Sequence, residues 1–253
     1  MKTITITNQK GGVAKTTTTW HLGVGLNKKG HKVLLIDLDP QSNLSFTAGV
    51  DLLNIKYTLY EVFKGEATAK EAIIHLSEGL DILVGGLDLS AADRTFTQLA
   101  REKMLSKALK NLEADYDYCV IDTPPSLSVM NENALTYTDY VIIPIQADIY
   151  ALQGIKQLRG FIEDIKENTN PKLQVLGILI TRVASQTNLH NLLYPEFERA
   201  AATLNTTIFN SYIRSTVTVG EAALERTNLF DYQASATAAQ DYANFVDELI
   251  SKL

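Results

Sequence analysis

The sequence predicts a single α/β domain built on a twisted, mostly parallel β-sheet with helices on both faces. Short apolar runs rich in β-branched residues alternate with helical stretches along the chain, and such continuous apolar runs are typical of strands buried on both faces. No Pro-, Ser- or Gly-rich linker and no internal repeat divides the sequence. A chain of 253 residues is also long enough for one large α/β domain.

The elements are predicted in order along the chain. The predicted strands are Lys2–Thr7, Lys32–Asp37, Leu80–Val84, Tyr118–Asp122, Tyr140–Pro144 and Val175–Ile180. The predicted helices are Thr16–Leu26, a long one over Ser90–Glu113 and an amphipathic tail over Thr237–Leu253, with shorter pieces at Thr58–Phe63 and Ala69–Leu76 in a less regular segment.

Composition and charge exclude several classes of protein. A hydrophobic fraction of 45% and a charged fraction of 21% are ordinary for a soluble globular protein. The single cysteine, Cys119, lies in an apolar run without a disulfide partner, which fits a reducing cytosol and predicts a cytoplasmic location. The four histidines lack metal-ligand spacing, and no apolar run reaches the ~20 residues that cross a bilayer. A net charge of −6 means that any nucleic-acid contact must come from a local patch.

The stretch Asn8–Thr18 has the pattern of a phosphate-binding loop. It follows an alternating β-prone run, contains Gly11 and Gly12, and opens a helix with Lys15-Thr16. In such a loop the backbone N–H groups and the helix N-terminus point at a nucleotide's phosphates. Lys15 would add a point charge to the β- and γ-phosphates, and the Thr16 hydroxyl would ligate magnesium.

Two aspartates at strand ends extend the predicted site. Asp122 ends an apolar strand and precedes Thr123-Pro124-Pro125, and Asp39 precedes Pro40 just after another strand. The carboxyl ends of parallel strands meet at one edge of a sheet, where a water-linked magnesium ligand belongs. Each aspartate could alternatively form an ordinary turn before proline, but the loop upstream favours the metal and water-positioning roles.

Three segments together resemble the deviant Walker A, A′ and B motifs of the ParA/MinD ATPases. Further matching segments extend the resemblance over nearly the whole chain. Within that superfamily the chain most resembles the small Soj/ParA-type DNA-partition ATPases. The three motifs are Lys10-Gly11-Gly12-Val13-Ala14-Lys15-Thr16, Leu35-Ile36-Asp37-Leu38-Asp39-Pro40-Gln41 and Tyr116-Asp117-Tyr118-Cys119-Val120-Ile121-Asp122-Thr123-Pro124-Pro125-Ser126.

The resemblance implies a role for each matching residue, with ATP and Mg²⁺ as cofactors. Lys10 matches the signature lysine that reaches across a nucleotide-sandwich dimer, and Asp39 matches the aspartate that positions the hydrolytic water near the metal. Asp122 and Thr16 would hold magnesium. The remaining cofactor contacts implied are Gly11, Gly12, Val13, Ala14 and Lys15 around the phosphates, Thr17 at the α-phosphate, and Thr181, Arg182, Arg214 and Thr216 around the adenine.

Two residues depart from the family pattern. Ala14 stands where glycine is commoner, and a left-handed backbone there would cost ~1–2 kcal/mol for alanine. On that basis nucleotide binding would weaken by up to roughly thirtyfold without being abolished. Arg214 stands where the family often has proline, which weakens the adenine assignment in that segment.

DNA contacts are harder to place by resemblance. Positions where the family carries arginine hold Gln186, Ser215 and Thr218 instead. A local basic patch, doubled in a dimer, would still bind DNA non-specifically through its phosphates. The candidate contacts are Arg182, Arg199, Arg214 and Arg226, together with Lys103, Lys107 and Lys110, whose spacing predicts one helical face.

The function implied is an ATP-dependent dimerising switch for plasmid or chromosome partition. The ATP-bound dimer would bind DNA non-specifically, associate with the nucleoid, and hydrolyse ATP slowly until a ParB-type centromere-binding partner stimulates it. Because the loop begins at residue 10, we expect no N-terminal helix-turn-helix domain and no operator binding.

Three alternatives share parts of this pattern. A MinD-like membrane-cycling ATPase needs a basic amphipathic C-terminus, whereas Asp241, Asp247 and Glu248 flank the apolar face here, so we expect no membrane partner. A nitrogenase-type iron protein needs cysteine ligands that one core cysteine cannot supply. A metabolic ATP-dependent ligase, such as a dethiobiotin synthetase, would need a substrate pocket that no residue constellation indicates.

Overall fold

The computed structural model describes residues 1–146, 148, 151–184 and 188–253. They form one α/β unit around an eight-stranded sheet of order β3-β4-β2-β5-β1-β6-β7-β8, in which every neighbouring pair is parallel except β3 and β4. The strands are β1 (Lys2–Ile6), β2 (Val33–Asp37), β3 (Ile74–Ser77), β4 (Leu80–Val84), β5 (Tyr118–Asp122), β6 (Tyr140–Gln146), β7 (Gln174–Val183) and β8 (Ile208–Arg214).

Helices connect the strands and cover both faces. The α-helices are α1 (Lys15–Lys28), α2 (Asn43–Thr47), α3 (Leu59–Lys64), α4 (Ala69–Ala72), α5 (Ala92–Thr95), α6 (Met104–Leu109), α7 (Val129–Tyr137), α8 (Ala151–Asn168), α9 (Asn188–Thr203), α10 (Val217–Leu224), α11 (Leu229–Tyr232) and α12 (Thr237–Lys252). Two 3₁₀ segments, Leu87–Ala91 and Arg101–Lys103, flank α5 and α6. The predicted fold class is confirmed.

The core lies on both faces of the sheet, and successive residues of a strand belong to different layers. Val33 and Leu35 pack with α1 and α12, whereas Leu34 and Ile36 pack with α5, α6 and α7. This division explains why the central strands read as continuous apolar runs rather than as alternating ones. A third cluster joins β6 and β7 to α8.

Helix α1 approaches the sheet and α12 unusually closely. A Cβ atom on Gly23 would lie 2.4 Å from Leu35 Cδ2, and one on Gly25 would lie 2.6 Å from Val246 Cγ2. Because real Cβ atoms do not approach so closely, glycine at both positions sets the depth at which α1 packs. The depth of packing in turn fixes where the N-terminus of α1 meets the sheet edge.

The long helix predicted over Ser90–Glu113 is wrong. The chain forms α5, leaves helical geometry at Phe96, and passes through Ala100 with φ 61° before the short helix α6. Buried Phe96 anchors the break, and the sequence Thr95-Phe96-Thr97 is rich in residues of low helix propensity. The helical periodicity of the sequence could not show that the packing of the Phe96 side chain interrupts this helix.

Two further differences concern the sheet edges. The helix predicted over Ala69–Leu76 ends at Ala72, and Ile74–Ser77 forms β3, antiparallel to β4. The β-branched pair Ile73-Ile74 favours this extended ending. Strand β8 was not predicted, because its sequence mixes Asn210, Ser211 and Arg214 with apolar residues. The predicted helix at Thr58–Phe63 is confirmed as α3, which begins with a Thr58–Glu61 capping box.

The tail helix α12 docks on the sheet, as its apolar pattern predicted. Tyr242, Phe245, Val246 and Leu249 are buried. Its acidic side chains make contacts inside the chain: Asp241 pairs with Arg214, Asp247 pairs with Lys29, and Glu248 accepts hydrogen bonds from two backbone N–H groups of β8. Within the described ranges, no helix has the combined length and apolarity to cross a membrane.

A buried histidine ties α1 to the C-terminal segment. His21 Nδ1 lies 2.7 Å from the carbonyl oxygen of Thr17, its Nε2 accepts a hydrogen bond of 3.1 Å from the backbone N–H of Leu229, and its ring stacks on Tyr242. An accepting Nε2 requires the neutral tautomer that carries its proton on Nδ1. Burial lowers the pKa of His21 from 6.5 to about 4.

We predict that His21 makes the fold sensitive to acid between about pH 6.5 and pH 4. Because the folded state holds the imidazole neutral, the unfolded state binds more protons there, and stability is complete above pH 6.5 and falls as the pH drops through this window. The total loss is roughly 3 kcal/mol. Urea unfolding at a series of pH values measures it.

The matched comparison is His21→Gln against Leu22→Ala. Both variants are destabilised, but only His21→Gln should show a shallower dependence of unfolding free energy on pH in this window. Equal slopes for His21→Gln and the unmodified protein would contradict the role assigned to the imidazole.

Candidate phosphate-binding site

The predicted loop lies at the carboxyl edge of the sheet, between the ends of central strands. It connects β1 to α1, and β1 lies between β5 and β6, with Ile6 opposite Asp122. The carboxyl edge of an open parallel sheet is where α/β proteins form ligand crevices. The loop, Asp39 and Asp122 therefore come together because β1, β2 and β5 are neighbours in one parallel register.

The loop has left-handed backbone at two positions, and hydrogen bonds from β7 hold it in place. Gly12 has φ 74° and Ala14 has φ 64°, so the conformation on which the Ala14 penalty depends is present. The hydroxyl of Thr181 lies 3.0 Å from the carbonyl oxygen of Val13, and Arg182 Nη1 donates to the carbonyl oxygen of Gly12 at 2.8 Å. These bonds attach the loop to the end of β7.

Lys15 and Thr16 occupy the positions that the motif requires. Lys15 is largely buried, and its Nζ donates to the carbonyl oxygen of Lys10 at 3.2 Å. Burial lowers the pKa of Lys15, while the nearby Asp122 and Asp39 carboxylates oppose that shift. Thr16 Oγ1 donates to Asp122 Oδ2 at 2.6 Å, which joins the first turn of α1 to the end of β5.

Three carboxyl groups, on Asp37, Asp39 and Asp122, converge below the loop. Asp37 and Asp122 are paired across β2 and β5 and are fully buried. Burial, reinforced by Asp37, raises the pKa of Asp122, and burial likewise raises the pKa of Asp37. If all three carboxyl groups were ionised, the cluster would carry more negative charge than the single ammonium of Lys15 could neutralise.

This donor set fits a magnesium ion. The Thr16 hydroxyl and the Asp122 carboxylate supply hard oxygen donors 2.6 Å apart, and Asp39 lines the same cavity as Thr16. Mg²⁺ prefers one or two such protein ligands and completes its shell with waters and substrate phosphates. A divalent cation would also offset the burial, and the weaker mutual repulsion, that raise the pKa values of the Asp122 and Asp37 carboxyl groups.

Lys10 is turned away from the cavity. Its Nζ forms an ion pair with Asp148 Oδ2, and its backbone N–H donates to Asn8 Oδ1 at 3.0 Å. The side chain of Asn8 in turn donates to the carbonyl oxygen of Pro144, so Lys10 is attached to the end of β6. About one third of the Lys10 side chain is exposed (33%), and Lys10 is not among the residues that line the cavity.

A cavity of about 740 Å³ opens above the loop. Three segments form its walls: the loop and start of α1, the segment from Asp39 to α2, and the end of β8 with α10. The predicted site residues on its surface are Gly11, Gly12, Ala14, Lys15, Thr16, Thr17, Asp39, Arg182, Arg214 and Thr216. Val13, Asp122 and Thr181 are fully or almost fully buried behind this surface.

The residues implied around the adenine divide into different roles. Thr216 begins α10 at the cavity wall, and its buried hydroxyl has no hydrogen-bond partner within the described part of the chain, so it is available to a ligand. Thr181 instead supports the loop. Arg214 lines the cavity, but its guanidinium is already engaged by Asp241, with Nη2–Oδ1 at 2.5 Å.

The basic residues predicted as DNA contacts lie on different elements of the fold. Lys103 ends a 3₁₀ segment that leads directly into α6, Lys107 lies within α6 and Lys110 follows its last residue, and all three are exposed. Arg199 is exposed and pairs with Glu196. Arg226 donates to two backbone carbonyl groups. Gln186, at a position where the family carries arginine, lies outside the described residues.

Sequence reasoning missed three residues that organise the site. Asp37 accepts hydrogen bonds from the backbone N–H and hydroxyl of Ser45 and from the backbone N–H of Asp39, which fixes the segment carrying Asp39. The sequence did hold a signal for Asp37, because a carboxylate at the end of an otherwise apolar strand indicates a buried hydrogen-bond acceptor. Asp241 and Asp148 could not be recognised in this way, because their partners, Arg214 and Lys10, are distant from them in the sequence.

Comparison with known proteins agrees with this geometry. The family model described as an AAA domain matches residues 1–175. The chromosome partitioning protein ParA of Caulobacter vibrioides is 34% identical over 256 residues, covering 100% of this chain and 95% of that protein. The sporulation initiation inhibitor protein Soj of Bacillus subtilis is 32% identical and covers 98% of each chain.

Solved structures share the fold over the full length. A plasmid partition protein from Borrelia burgdorferi superposes with a TM-score of 0.78 at 28% identity, covering 100% of this chain and 99% of that one. The cobyrinic acid a,c-diamide synthase from Mycobacterium smegmatis, solved with an ATP analogue and magnesium, gives a TM-score of 0.87 at 32% identity, with 99% and 94% covered. The motifs, the topology and these full-length similarities together place the chain in the ParA/MinD superfamily of P-loop ATPases, to which it belongs.

Proposed function

We propose that this protein is a magnesium-dependent ATPase of the partition type, whose ATP-bound form is a homodimer that binds DNA non-specifically. The observation that carries the proposal is the placement of two lysines on one loop. Lys15 lines the cavity, whereas Lys10 is partly exposed beside it. A lysine outside its own subunit's site is suited to complete the site of a second copy.

The residues of one subunit bind and orient the nucleotide. The backbone of Gly11 to Thr16 and the N-terminus of α1 surround the phosphates, and Lys15 supplies a positive charge that burial prevents water from screening. Thr16 and Asp122 hold magnesium, which when bound neutralises charge on the phosphates. Thr216 and the neighbouring α10 wall contact the base.

Asp39 orients the attacking water. One of its carboxylate oxygens, Oδ1, accepts a hydrogen bond of 2.9 Å from the backbone N–H of Gln41, which fixes the plane of the group. The other oxygen, Oδ2, would accept a hydrogen bond from the attacking water and so orient it. Phosphoryl transfer of this type depends on positioning and charge neutralisation more than on covalent chemistry.

Dimerisation couples the nucleotide to the rest of the cycle. Lys10 exchanges Asp148 for the phosphates of the opposing subunit, so only a nucleotide with its terminal phosphate stabilises the pair. Hydrolysis removes that contact and releases the dimer. A ParB-type centromere-binding protein would accelerate this step, and the DNA-bound dimer would be nucleoid-associated in the cytoplasm.

The basic surface for DNA is composed of residues whose side chains are exposed. Arg199 is 73% exposed and only paired with a neighbouring glutamate, so it can exchange that partner for a phosphate at small cost. Lys103, Lys107 and Lys110 are exposed as well. Because two copies double the number of contacts, affinity should rise steeply on dimerisation and fall with salt.

A biosynthetic ATP-dependent synthase is the second candidate, favoured by the full-length similarity to the structure named as a cobyrinic acid a,c-diamide synthase. Stimulation of the ATPase by non-specific duplex DNA separates the two, because a small-molecule synthase should be indifferent to DNA. A MinD-like function would instead require ATP-dependent binding to anionic vesicles, which the internally paired acidic side chains of α12 do not favour.

We predict that Asp39→Ala binds ATP but hydrolyses it at least about a hundredfold more slowly, because the water is no longer oriented. The variant should therefore accumulate as an ATP dimer that retains duplex DNA. Size-exclusion chromatography with light scattering, with ATP or ADP and with or without DNA, measures this. Asp164→Ala, an exposed carboxylate on α8, is the control and should behave as the unmodified protein. Normal hydrolysis by Asp39→Ala would remove its assigned role.

The two lysines should separate binding from dimerisation. Lys15→Gln removes the ammonium that donates charged hydrogen bonds to the phosphates, and we expect its nucleotide affinity to fall by roughly tenfold to a hundredfold. Lys10→Ala should bind nucleotide as a monomer with unchanged affinity and fail to dimerise. Titration calorimetry and light scattering test both, and a stable ATP dimer of Lys10→Ala would contradict the contact across the interface.

Ala14→Gly should tighten nucleotide binding. Alanine in the left-handed conformation costs ~1–2 kcal/mol, and the greater freedom of glycine in a relaxed loop cancels about half of that. The net gain is on the order of 1 kcal/mol, or about fivefold in affinity. Ala100, with φ 61° in an exposed loop, provides the control: Ala100→Gly should raise stability without changing nucleotide affinity. Equal affinities for both variants would show that Ala14 does not limit binding.

A further inference from the structure

Arg226 has a backbone conformation that its side chain does not favour. It follows α10 with φ 52°, in the left-handed region, and its backbone N–H closes the helix by donating to the carbonyl oxygen of Ala223 at 3.1 Å. A non-glycine residue persists in this conformation only where its surroundings compensate. The contacts of its side chain therefore require an explanation.

The hydrogen bonds of its side chain go to the end of α2 and to the segment that follows it. Arg226 Nε donates to the carbonyl oxygen of Phe46 at 3.1 Å, Nη2 donates to that of Val50 at 2.6 Å, and the guanidinium lies 4.6 Å from the centre of the Phe46 ring. The last carbonyl groups of a helix have no partners within it, and a cation there is also favoured by the helix dipole. The planar guanidinium can serve two carbonyl groups at once, which a lysine ammonium on a flexible stem does less well.

The same short helix carries one wall of the cavity. At its first turn Ser45 donates from its N–H and hydroxyl to Asp37 at 2.9 and 2.7 Å, and the same carboxyl group accepts the N–H of Asp39 at 3.2 Å. Asn43 and Thr47 face the cavity alongside Asp39. Helix α2 and Asp39 are thus one unit, attached to buried Asp37 at one end and to Arg226 at the other.

Arg226 belongs to the opposite wall. Val217 and Gly220 of α10 line the cavity, and the residue after Arg226, Thr227, accepts a hydrogen bond of 3.5 Å from Trp20 Nε1 of α1. The Arg226 side chain therefore spans from the wall formed by α10 to the wall that carries Asp39. It is held at its own end by α1 and α10, both of which are fixed to the core.

We propose that Arg226 is a positioning residue for ATP hydrolysis: it holds α2, and through α2 the Asp39 carboxylate, at a fixed distance from the wall formed by α10. The inference rests on the hydrolytic function proposed above. It also gives the guanidinium partners within its own chain, so that its role is inside one subunit and not at a DNA contact.

The test compares Arg226→Gly and Arg226→Lys with the unmodified protein, and uses Arg159→Ala as a control. Glycine accepts the left-handed backbone, so Arg226→Gly should fold. Arg159 forms an exposed ion pair with Glu163 on α8 and contacts neither wall. The measurements are hydrogen exchange, affinity for an ATP analogue, and single-turnover hydrolysis of ATP without DNA or partner protein.

We expect both Arg226 variants to exchange the backbone amides of Ala48 and Val50, which donate to Leu44 and Ser45, about tenfold faster. Hydrolysis should slow by roughly tenfold to a hundredfold, because a small displacement of a positioning group is costly. Nucleotide affinity should change by less than about threefold, since the loop is untouched. Arg159→Ala should change none of the three.

Unchanged exchange and unchanged hydrolysis in Arg226→Gly would overturn the inference, as would a defect confined to DNA binding. The proposed function fails separately, if the unmodified protein does not hydrolyse ATP. In that case amide exchange at Ala48 and Val50 still decides whether Arg226 holds α2, and unchanged exchange in Arg226→Gly would overturn the inference on its own.

Discussion

The hydrogen bond between Thr16 Oγ1 and Asp122 Oδ2, at 2.6 Å, is the contact on which the site depends. It joins the first turn of α1 to the end of β5, and it forms because β1 and β5 are parallel neighbours with Ile6 opposite Asp122. Glycines on α1 allow the helix to pack deeply enough to reach this point. A loop that reverses between β1 and α1 must then present its N–H groups to one small volume above the bond. Phosphate binding is therefore a consequence of strand order as much as of the loop's own sequence.

Backbone strain is concentrated around the same cavity. Six non-glycine residues have positive φ in the described part of the chain: two of them, Ala14 and Arg182, line the cavity, and two more, Ser42 and Arg226, adjoin segments that line it. Ser42 N–H closes a turn by donating to the Asp39 carbonyl oxygen, Arg182 holds Gly12, and Arg226 holds the end of α2. Such conformations persist where surrounding structure over-determines them. The walls formed by α2 and by α10 are thus held by contacts within the chain, which lowers the cost of ordering them on binding.

Local sequence patterns were sufficient for the central strands, the loop and the two strand-end aspartates, because each of these depends on neighbours along the chain. They were insufficient where a distant side chain decides the outcome. Buried Phe96 breaks the predicted long helix, Asp241 takes the Arg214 guanidinium that resemblance placed near the adenine, and Asp148 holds Lys10. Arg226 illustrates the same limit, since its partners lie 180 and 176 residues away. Many of the residues that line the cavity were predicted from the sequence, and most of those that position them were not.

The central claim is that ATP moves Lys10 from a partner within its own subunit to the nucleotide of a second subunit. A crystal structure with a non-hydrolysable ATP analogue and magnesium tests it most directly. We expect a two-fold dimer in which Lys10 Nζ of each subunit has left Asp148 and lies within about 3 Å of a phosphate oxygen bound to the other subunit. A nucleotide-loaded monomer in which Lys10 still pairs with Asp148 would contradict the account.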